Sequence, residues 1–389
     1  MSPPGSATRL VRIFTACHGT QLLVIQHLRR HLQLPAAREF LLWHPMENIP
    51  LVDEFMRSLI ATAGFADTLD MRQFASLRPR TQGPWQWWLE SARRLRSDAT
   101  TLHRWMESNR IAPEDAELWA DDPIHFNVIF TRGMLHKSRH VKIPHCFNLE
   151  DVTIRDFKNN LEKTWRKAHW PKRFIYHPWL RWSSGVDLRV ERTVYDRAYT
   201  FDQPSPWSTH SVDMSGQISI EAFDRTYRSL PSSTRAEVEA ILAPLRTSRK
   251  PLVLLLLFGL GADHSLRAVY QASLSRIFSE RASELRDCSL AVKLHPAARG
   301  TQEQILIDWL RANVPAQIHP IAHGLNLEFM LPQLQPDYVL AGVCGALPIV
   351  RKLRRGRPVV LGEMLHLFLA DRPEERDATM KSLKGIEIW

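Results

Sequence analysis

The chain has 389 residues, too many for one ordinary core, so two domains are expected. Its 44% hydrophobic and 24% charged content is that of a globular protein and excludes disorder as the default. The 51 basic against 41 acidic residues give a formal charge of +10, which favours an anionic partner: a nucleotide-activated substrate, an acidic polysaccharide, a phospholipid surface or nucleic acid.

No Lys/Arg tract is long enough for a nucleic-acid arm, and no nucleic acid is expected as a partner. The densest cluster, Arg351-Lys352 with Arg354-Arg355-Gly356-Arg357, falls on a predicted helix and its end, where a solvated face is the simpler reading. Cys17, Cys146, Cys288 and Cys344 lie far apart with no C-x-x-C pair, which argues against a zinc ribbon or a disulfide framework and fits a reducing compartment. The amino terminus lacks the basic start and apolar middle of a signal peptide. The longest apolar run, Leu252 to Phe258, is far short of a membrane span. The expected location is the cytoplasm, with peripheral association at the inner face of the membrane allowed by the positive charge.

In chain order, Leu10 to Thr15 reads as a strand, Cys17-His18-Gly19-Thr20 as a turn and Gln21 to Leu28 as a helix. A second strand at Glu39 to Trp43 suggests a βαβ unit with its ligand side at the carboxyl ends of the strands. Ile124 to Phe130 reads as another strand, and a strand leading from His140 ends at Glu150-Asp151. A basic helix follows from Arg155 to Lys172, then a strand-like aromatic region from Phe174 to Ala198. The polar stretch from Leu230 to Pro251 is taken as the interdomain connection.

Beyond it the pattern alternates regularly. Strands are predicted at Leu252 to Phe258, Ser289 to Leu294, near Ile318, at Tyr338 to Ala341 and at Pro358 to Leu361. Helices are predicted around Ser265 to Leu285, at Glu303 to Asn313, at Leu327 to Leu334 and from Ala346 to Arg354. The domains are therefore placed at 1–235, an amino-terminal acceptor-side α/β domain, and 251–370, a nucleotide-donor α/β domain. Residues 236–250 form the connection, and 371–389 a tail that packs back on the amino-terminal domain.

Several residues have the chemistry a transfer site needs. His295 follows a strand and precedes Pro296, which biases it towards an extended backbone at a strand's carboxyl end. There an imidazole can donate to, or protonate, a phosphate oxygen. Gly342-Val343-Cys344-Gly345-Ala346 follows the next major strand, and small residues at a helix start can expose N–H groups to a phosphate; a tight turn is the alternative. Gly259 and Gly261 form a third such loop. Glu150 and Asp151 are adjacent carboxylates whose repulsion raises at least one pKa, as proton abstraction requires, although such a pair also solvates loops. No second acidic cluster accompanies them, so no metal is expected. Trp85, Trp87, Trp88, Trp179 and Trp182 have the shape to stack on sugar rings, though burial in packing is the commoner fate.

Taken together, Glu150-Asp151-Val152, His295-Pro296 and Gly342-Val343-Cys344-Gly345, in that order, resemble the bacterial sialyltransferases of the two-domain GT-B fold, including the capsule polysialyltransferases. The resemblance covers most of the chain through short motifs. It implies an α/β architecture of two Rossmann-like domains facing a central cleft. It also implies a bacterial enzyme of capsule or surface polysaccharide biosynthesis that moves sialic acid from CMP-sialic acid to a glycan hydroxyl. Transfer would be inverting and metal-independent, and no cofactor would be needed.

On that resemblance Glu150, or else Asp151, removes the acceptor proton, and His295 stabilises the departing phosphate. Glu328, on Leu327-Glu328-Phe329-Met330-Leu331, holds the nucleotide ribose. Lys293, Pro296, Gly259, Gly261, Gly342, Cys344, Gly345 and Ala346 complete the nucleotide side, and His18, Gly19, Thr20 and Gln21 the acceptor side. The acceptor would be a glycan, anionic ones included. Two positions depart from the family: Val152 where glycine is usual, and Cys344-Gly345 where a serine pair is usual. Another donor on the same fold (CMP-Kdo, or a UDP- or CDP-linked group) and a non-catalytic nucleotide- or glycan-binding protein are the rival readings.

Overall fold

The computed structural model describes residues 10–17, 19–44, 50–74, 84–121, 126–144, 147, 177–187, 195–201, 205, 207–257, 264–295, 301–322 and 324–389. The chain forms two compact units. The first takes in the described residues within 1–46, 63–146 and 150–215; the second takes in those within 47–62, 147–149 and 216–389.

In unit 1, β1 (Val11–Ala16), β2 (Arg38–Trp43), β3 (Asp67–Asp70), β4 (Ala116–Ala120), β5 (Arg139–Lys142), β6 (Arg197–Thr200) and β7 (Ser211–Asp213) form one sheet. Their order is β3-β2-β1-β4-β5-β6-β7, and every pairing is parallel. α1 (Gly19–His31), α3 (Pro84–Ser108), α4 (Phe126–Met134) and α5 (His177–Ser184) belong to the same unit, whereas α2 (Pro50–Thr62) groups with unit 2. β1 is buried along its whole length, as a parallel strand covered on both faces must be. Its one charged residue, Arg12, sits in register with Glu39 on β2 and Glu117 on β4 and pairs with both, at 3.4 and 3.3 Å. The flanking carboxylates offset the cost of burying the guanidinium.

Two stretches of unit 1 differ from the sequence expectation. Ile124 to Phe130, read as a strand, lies largely in helix α4, and the local strand is Ala116–Ala120. A short stretch of five apolar residues interrupted by His125 and Asn127 fits a buried helix as well as a strand. Here Val128, Thr131, Met134 and Leu135 are buried at helical spacing. Phe174 to Ala198, read as strand-like, contains helix α5, with Pro178 in its first turn and Gly185 at φ +74° just after it. Among the described residues of this stretch, strand begins only at Arg197, the start of β6 (Arg197–Thr200). On α5, Trp179 packs partly buried against the unit 1 core, whereas Trp182 is 84% exposed and is not a packing residue.

A buried polar group ties α4 to β5. Arg132 donates to His140 Nδ1 at 2.9 Å, His140 Nε2 donates to the Leu135 carbonyl at 2.9 Å, and the Arg132 guanidinium lies 4.0 Å from the Tyr195 ring centroid. Burial, and then the Arg132 charge, push His140 down to about 4. The neutral imidazole is therefore built into the fold. Its contribution is complete above the unfolded value of 6.5 and is lost as pH falls through about 4. On the order of 3 kcal/mol is at stake over that window. We expect urea unfolding of the wild type to weaken more steeply between pH 6.5 and 4 than that of His140→Gln; parallel curves would refute this account.

Unit 2 repeats the plan. β8 (Leu252–Leu256), β9 (Ser289–Lys293), β10 (Gln317–Ile321), β11 (Tyr338–Ala341), β12 (Arg357–Val360) and β13 (Glu387–Ile388) form a second all-parallel sheet, ordered β10-β9-β8-β11-β12-β13. In chain order α6 (Ile220–Arg228), α7 (Ser232–Thr247), α8 (His264–Glu280), α9 (Ala282–Leu285), α10 (Thr301–Asn313), α11 (Leu327–Met330), α12 (Ala346–Leu353), α13 (Gly362–Asp371) and α14 (Arg376–Ser382) belong to it. The stretch read as a connection is mostly helix α7, which buries Val238, Leu242 and Leu245. The stretch read as a tail reaches the edge of the sheet as β13. Trp389 follows it into the core: its N–H donates to the Val360 carbonyl, its carbonyl accepts from Gly362, and its ring lies 5.0 Å from that of Tyr338.

In both units the four-strand middle of the sheet reverses direction of progress at its first strand. This is the 3-2-1-4-5-6 order of dinucleotide-binding folds, so each unit is Rossmann-like. Such sheets bind ligands beyond the carboxyl ends of the strands, where the order reverses. In unit 2 that place is defined by β8, β9 and β11.

Candidate functional site

Three residues far apart in sequence meet at this carboxyl edge. β9 is buried throughout and ends in Lys293, which is 6% exposed; its Nζ donates to the Leu294 carbonyl at 3.0 Å. Glu328 sits on the single-turn helix α11 and is 7% exposed. Cys344 lies in the loop between β11 and α12, half-buried, with its sulfur facing the backbone N–H groups of Ala346 and Leu347.

The three groups act on one another. Burial pushes Glu328 up to about 7, against its own backbone N–H and the Lys293 charge. Burial pulls Lys293 down to about 8, against the Glu328 carboxylate. Burial raises the Cys344 thiol to about 11, and the Glu328 charge adds to the rise. A carboxylate with a pKa near neutrality beside a cationic amine, at the mouth of a parallel sheet, is a costly arrangement for folding alone. Such groups cluster at binding and catalytic sites. Chemically the set offers a strong acceptor for paired hydroxyls, a positive charge and a neutral thiol.

The remaining nucleotide-side residues take their places around this cluster. His295 is two residues beyond Lys293 and exposed, so its ring is accessible at the strand end. Gly342 and Gly345 flank the cysteine, and Gly345 has an ordinary helical backbone (φ −66°, ψ −13°), so small size rather than conformational freedom distinguishes it. Ala346 and Leu347 open α12 with their N–H groups turned towards Cys344: the Leu347 N–H donates to the Cys344 carbonyl at 3.4 Å. Gly345 is the N-cap of that helix, and Cys344 stands just before it. Pro296, Gly259 and Gly261 lie outside the described residues, as do Glu150, Asp151, Val152 and His18.

On unit 1, Gly19 is buried and Thr20 half-buried at the head of α1. Gln21 is fully buried and used at both ends: its Oε1 accepts from the Cys17 N–H at 2.5 Å, and its Nε2 donates to Asp121 Oδ2. Tyr195 OH donates to the Asp121 carbonyl. Gln21 and Asp121 therefore tie together the loops after β1 and β4, where this sheet too reverses. Asp121 was not singled out from the sequence. The available signal was a carboxylate directly after a strand, hidden because Ala116–Ala120 was not read as one.

Among the described residues no three His, Cys, Asp or Glu side chains are grouped to hold a metal ion. No helix among them is long and apolar enough to cross a membrane.

The chain is a two-domain α/β protein of the Rossmann kind, as its sheets show. No family model and no curated protein matches its sequence. Among solved structures it is similar to the UDP-GlcNAc 2-epimerase of Neisseria meningitidis bound to UDP-GlcNAc (11% identity, 97% of this chain, 95% of that one, TM-score 0.49). It is similar also to the UDP-GlcNAc 2-epimerase of Methanocaldococcus jannaschii (10%, 97% and 92%, 0.48). A third is the α/β-galactoside α-2,3-sialyltransferase of the luminous marine bacterium Photobacterium phosphoreum (10%, 98% and 98%, 0.47). Identities near a tenth with scores below 0.5 assign neither substrate nor mechanism.

Proposed function

We propose that the chain is a GT-B type glycosyltransferase whose second unit binds a nucleotide-activated sugar, with CMP-sialic acid as the donor. The observation that supports this most is the coupled Lys293, Glu328 and Cys344 cluster at the carboxyl edge of a Rossmann-like sheet. Glu328 accepts the ribose hydroxyls, and the Lys293 charge favours its ionised form against burial. His295, exposed at the strand end, meets the phosphate. The acceptor oxygen attacks the anomeric carbon as its proton passes to Glu150, or to Asp151. The bond from that carbon to the phosphate oxygen breaks with inversion, and CMP leaves with His295 stabilising its phosphate. The step as proposed uses no metal or cofactor. Glycan acceptors, cytoplasmic residence and surface-polysaccharide synthesis belong to the same proposal.

Isothermal titration with CMP, CDP and UDP tests the donor. CMP is expected to bind, and binding of CDP or UDP with none of CMP would overturn the choice. With CMP-sialic acid and a panel of glycan acceptors, Glu150→Gln is expected to reduce turnover by about 10²- to 10⁴-fold, the range of a lost general base. Turnover unchanged in both Glu150→Gln and Asp151→Asn would remove the pair from that role. Binding of CMP without transfer or donor hydrolysis would favour a binding protein on the same scaffold.

A further inference from the structure

An arginine outside the Lys293, Glu328 and Cys344 cluster stands at the same carboxyl edge of the unit 2 sheet. β8 and β9 are adjacent and parallel, with their last residues, Leu256 and Lys293, in register. β8 leads to α8 and β9 to α10, so the two helices start from the same edge, and they pack together. Arg267 is the fourth residue of α8 and Gln302 the second of α10. Arg267 Nη1 donates to Gln302 Oε1, which fixes the guanidinium between the two helix starts; Gln302 itself is buried.

Only that one nitrogen is engaged. Nε is shut off from solvent and has no hydrogen-bond partner; among the described residues Nη2 has none either, and the guanidinium makes no ion pair. A buried N–H without a partner is rare in a folded chain. The unengaged Nε–Nη2 side of the fork is one that matches two oxygens of a phosphate.

The position is unfavourable for folding alone. A cation in the first turn opposes the positive end of the helix dipole, and the first turn of α8 has no acidic side chain to offset it. The N–H groups that begin α8 and α10 add to the same positive field. Lys293, at the neighbouring strand end, already faces the Glu328 carboxylate as its counter-charge. Arg267 has no such partner among the described residues, which favours an anion supplied from outside the chain.

We propose that Arg267 grips the phosphate of the nucleotide donor, its Nε and Nη2 donating to two phosphate oxygens while Gln302 holds the guanidinium in place. Resting on the reading of unit 2 as the nucleotide-binding domain, this contact makes the binding depend on the phosphate. Glu328 reads the ribose, which nucleoside and nucleotide share; Arg267 reads what only the nucleotide has. Negative charge on the phosphate grows as CMP leaves the sugar, so the same contact strengthens during transfer.

Titration of the full chain with CMP and with cytidine separates the two contributions. Wild type is expected to bind CMP more tightly than cytidine. A charged bidentate pair is worth roughly 10- to 100-fold, so Arg267→Gln should lose about that much affinity for CMP and none for cytidine. Glu328→Gln should weaken both by the same factor. Arg267→Lys keeps the charge without the fork and should fall between Arg267→Gln and wild type. If Arg267→Gln fails to fold, Arg267→Lys decides, with CMP affinity expected several-fold below wild type and cytidine affinity unchanged. If CDP or UDP binds in place of CMP, the same selective loss is expected against cytidine or uridine. Unchanged nucleotide affinity in the folded variants would place the arginine outside the site and overturn the proposal. Equal loss of nucleotide and nucleoside would make Arg267 a structural residue and overturn it too. Wild type that binds none of these nucleotides would instead remove nucleotide binding itself, and the role of Arg267 with it.

Discussion

Glu328→Gln should lose nucleotide affinity and gain stability. On the proposed role, removing the carboxylate would delete hydrogen bonds from ribose hydroxyls to a charged acceptor, worth roughly 10- to 100-fold in affinity for CMP. The fold responds in the opposite sense. Glu328 is pushed up to about 7, so its contribution to folding is fully present below the unfolded value of 4.5 and is lost as pH rises through about 7. Lys293 is pulled down to about 8, so its penalty is present below about 8 and is relieved as pH rises towards 10.5. The pair therefore costs unit 2 most between about pH 7 and 8. Near pH 8 the amine can shed its proton at little cost when its partner is gone. Urea unfolding should show Glu328→Gln indistinguishable from wild type at pH 4.5 and more stable by on the order of 3 kcal/mol at pH 8. A variant that binds CMP as tightly as wild type, or shows the same pH dependence of stability, would sink the account.

Phe329→Ala should be the most damaging single truncation near the site. Phe147, Phe223 and Phe329 are each fully buried and meet edge to face, with centroids 5.1, 5.3 and 5.5 Å apart. Loss of one ring from such a set costs about 3 to 5 kcal/mol, transfer and cavity together. Its neighbour Glu328 lies on the same single turn, and a helix of four residues has little stability of its own. The aromatic set thus holds the carboxylate at the sheet edge. We expect unfolding at markedly lower urea, and weakened CMP binding under conditions where the variant remains folded. Phe329→Leu should recover most of both. Unchanged affinity in a clearly destabilised Phe329→Ala would show that α11 needs no such anchor.

The second unit was largely legible in the sequence because its elements are short, regularly spaced and buried on both faces. Tyr338 to Ala341 was predicted with its observed bounds, and Ser289 to Leu294 within one residue. The first unit was less so. Its Ile124 to Phe130 run is compact enough to satisfy either period, and burial of α4 removed the polar face that separates them. The division between the units, at Ser215, carries no Pro-rich or charged signal, whereas the polar stretch that did look like a linker is an amphipathic helix. For the site, position at strand ends pointed to Lys293, His295 and Cys344. The coupling of Lys293 and Cys344 to Glu328 was not readable, because it depends on a one-turn helix whose Phe329 packs on Phe147 and Phe223, both distant in sequence.

The end of unit 2 has a consequence for how the chain is made. β13 and Trp389 complete the sheet and core, so unit 2 cannot reach its described fold until residue 389 has been synthesised. The sheet of unit 1, by contrast, is complete by Asp213. Synthesis at about 5 to 20 residues per second leaves about 9 to 35 seconds between those points. Once Val360 has been made β12 carries an open edge until β13 pairs with it, and an early stop before Glu387 would make that edge permanent.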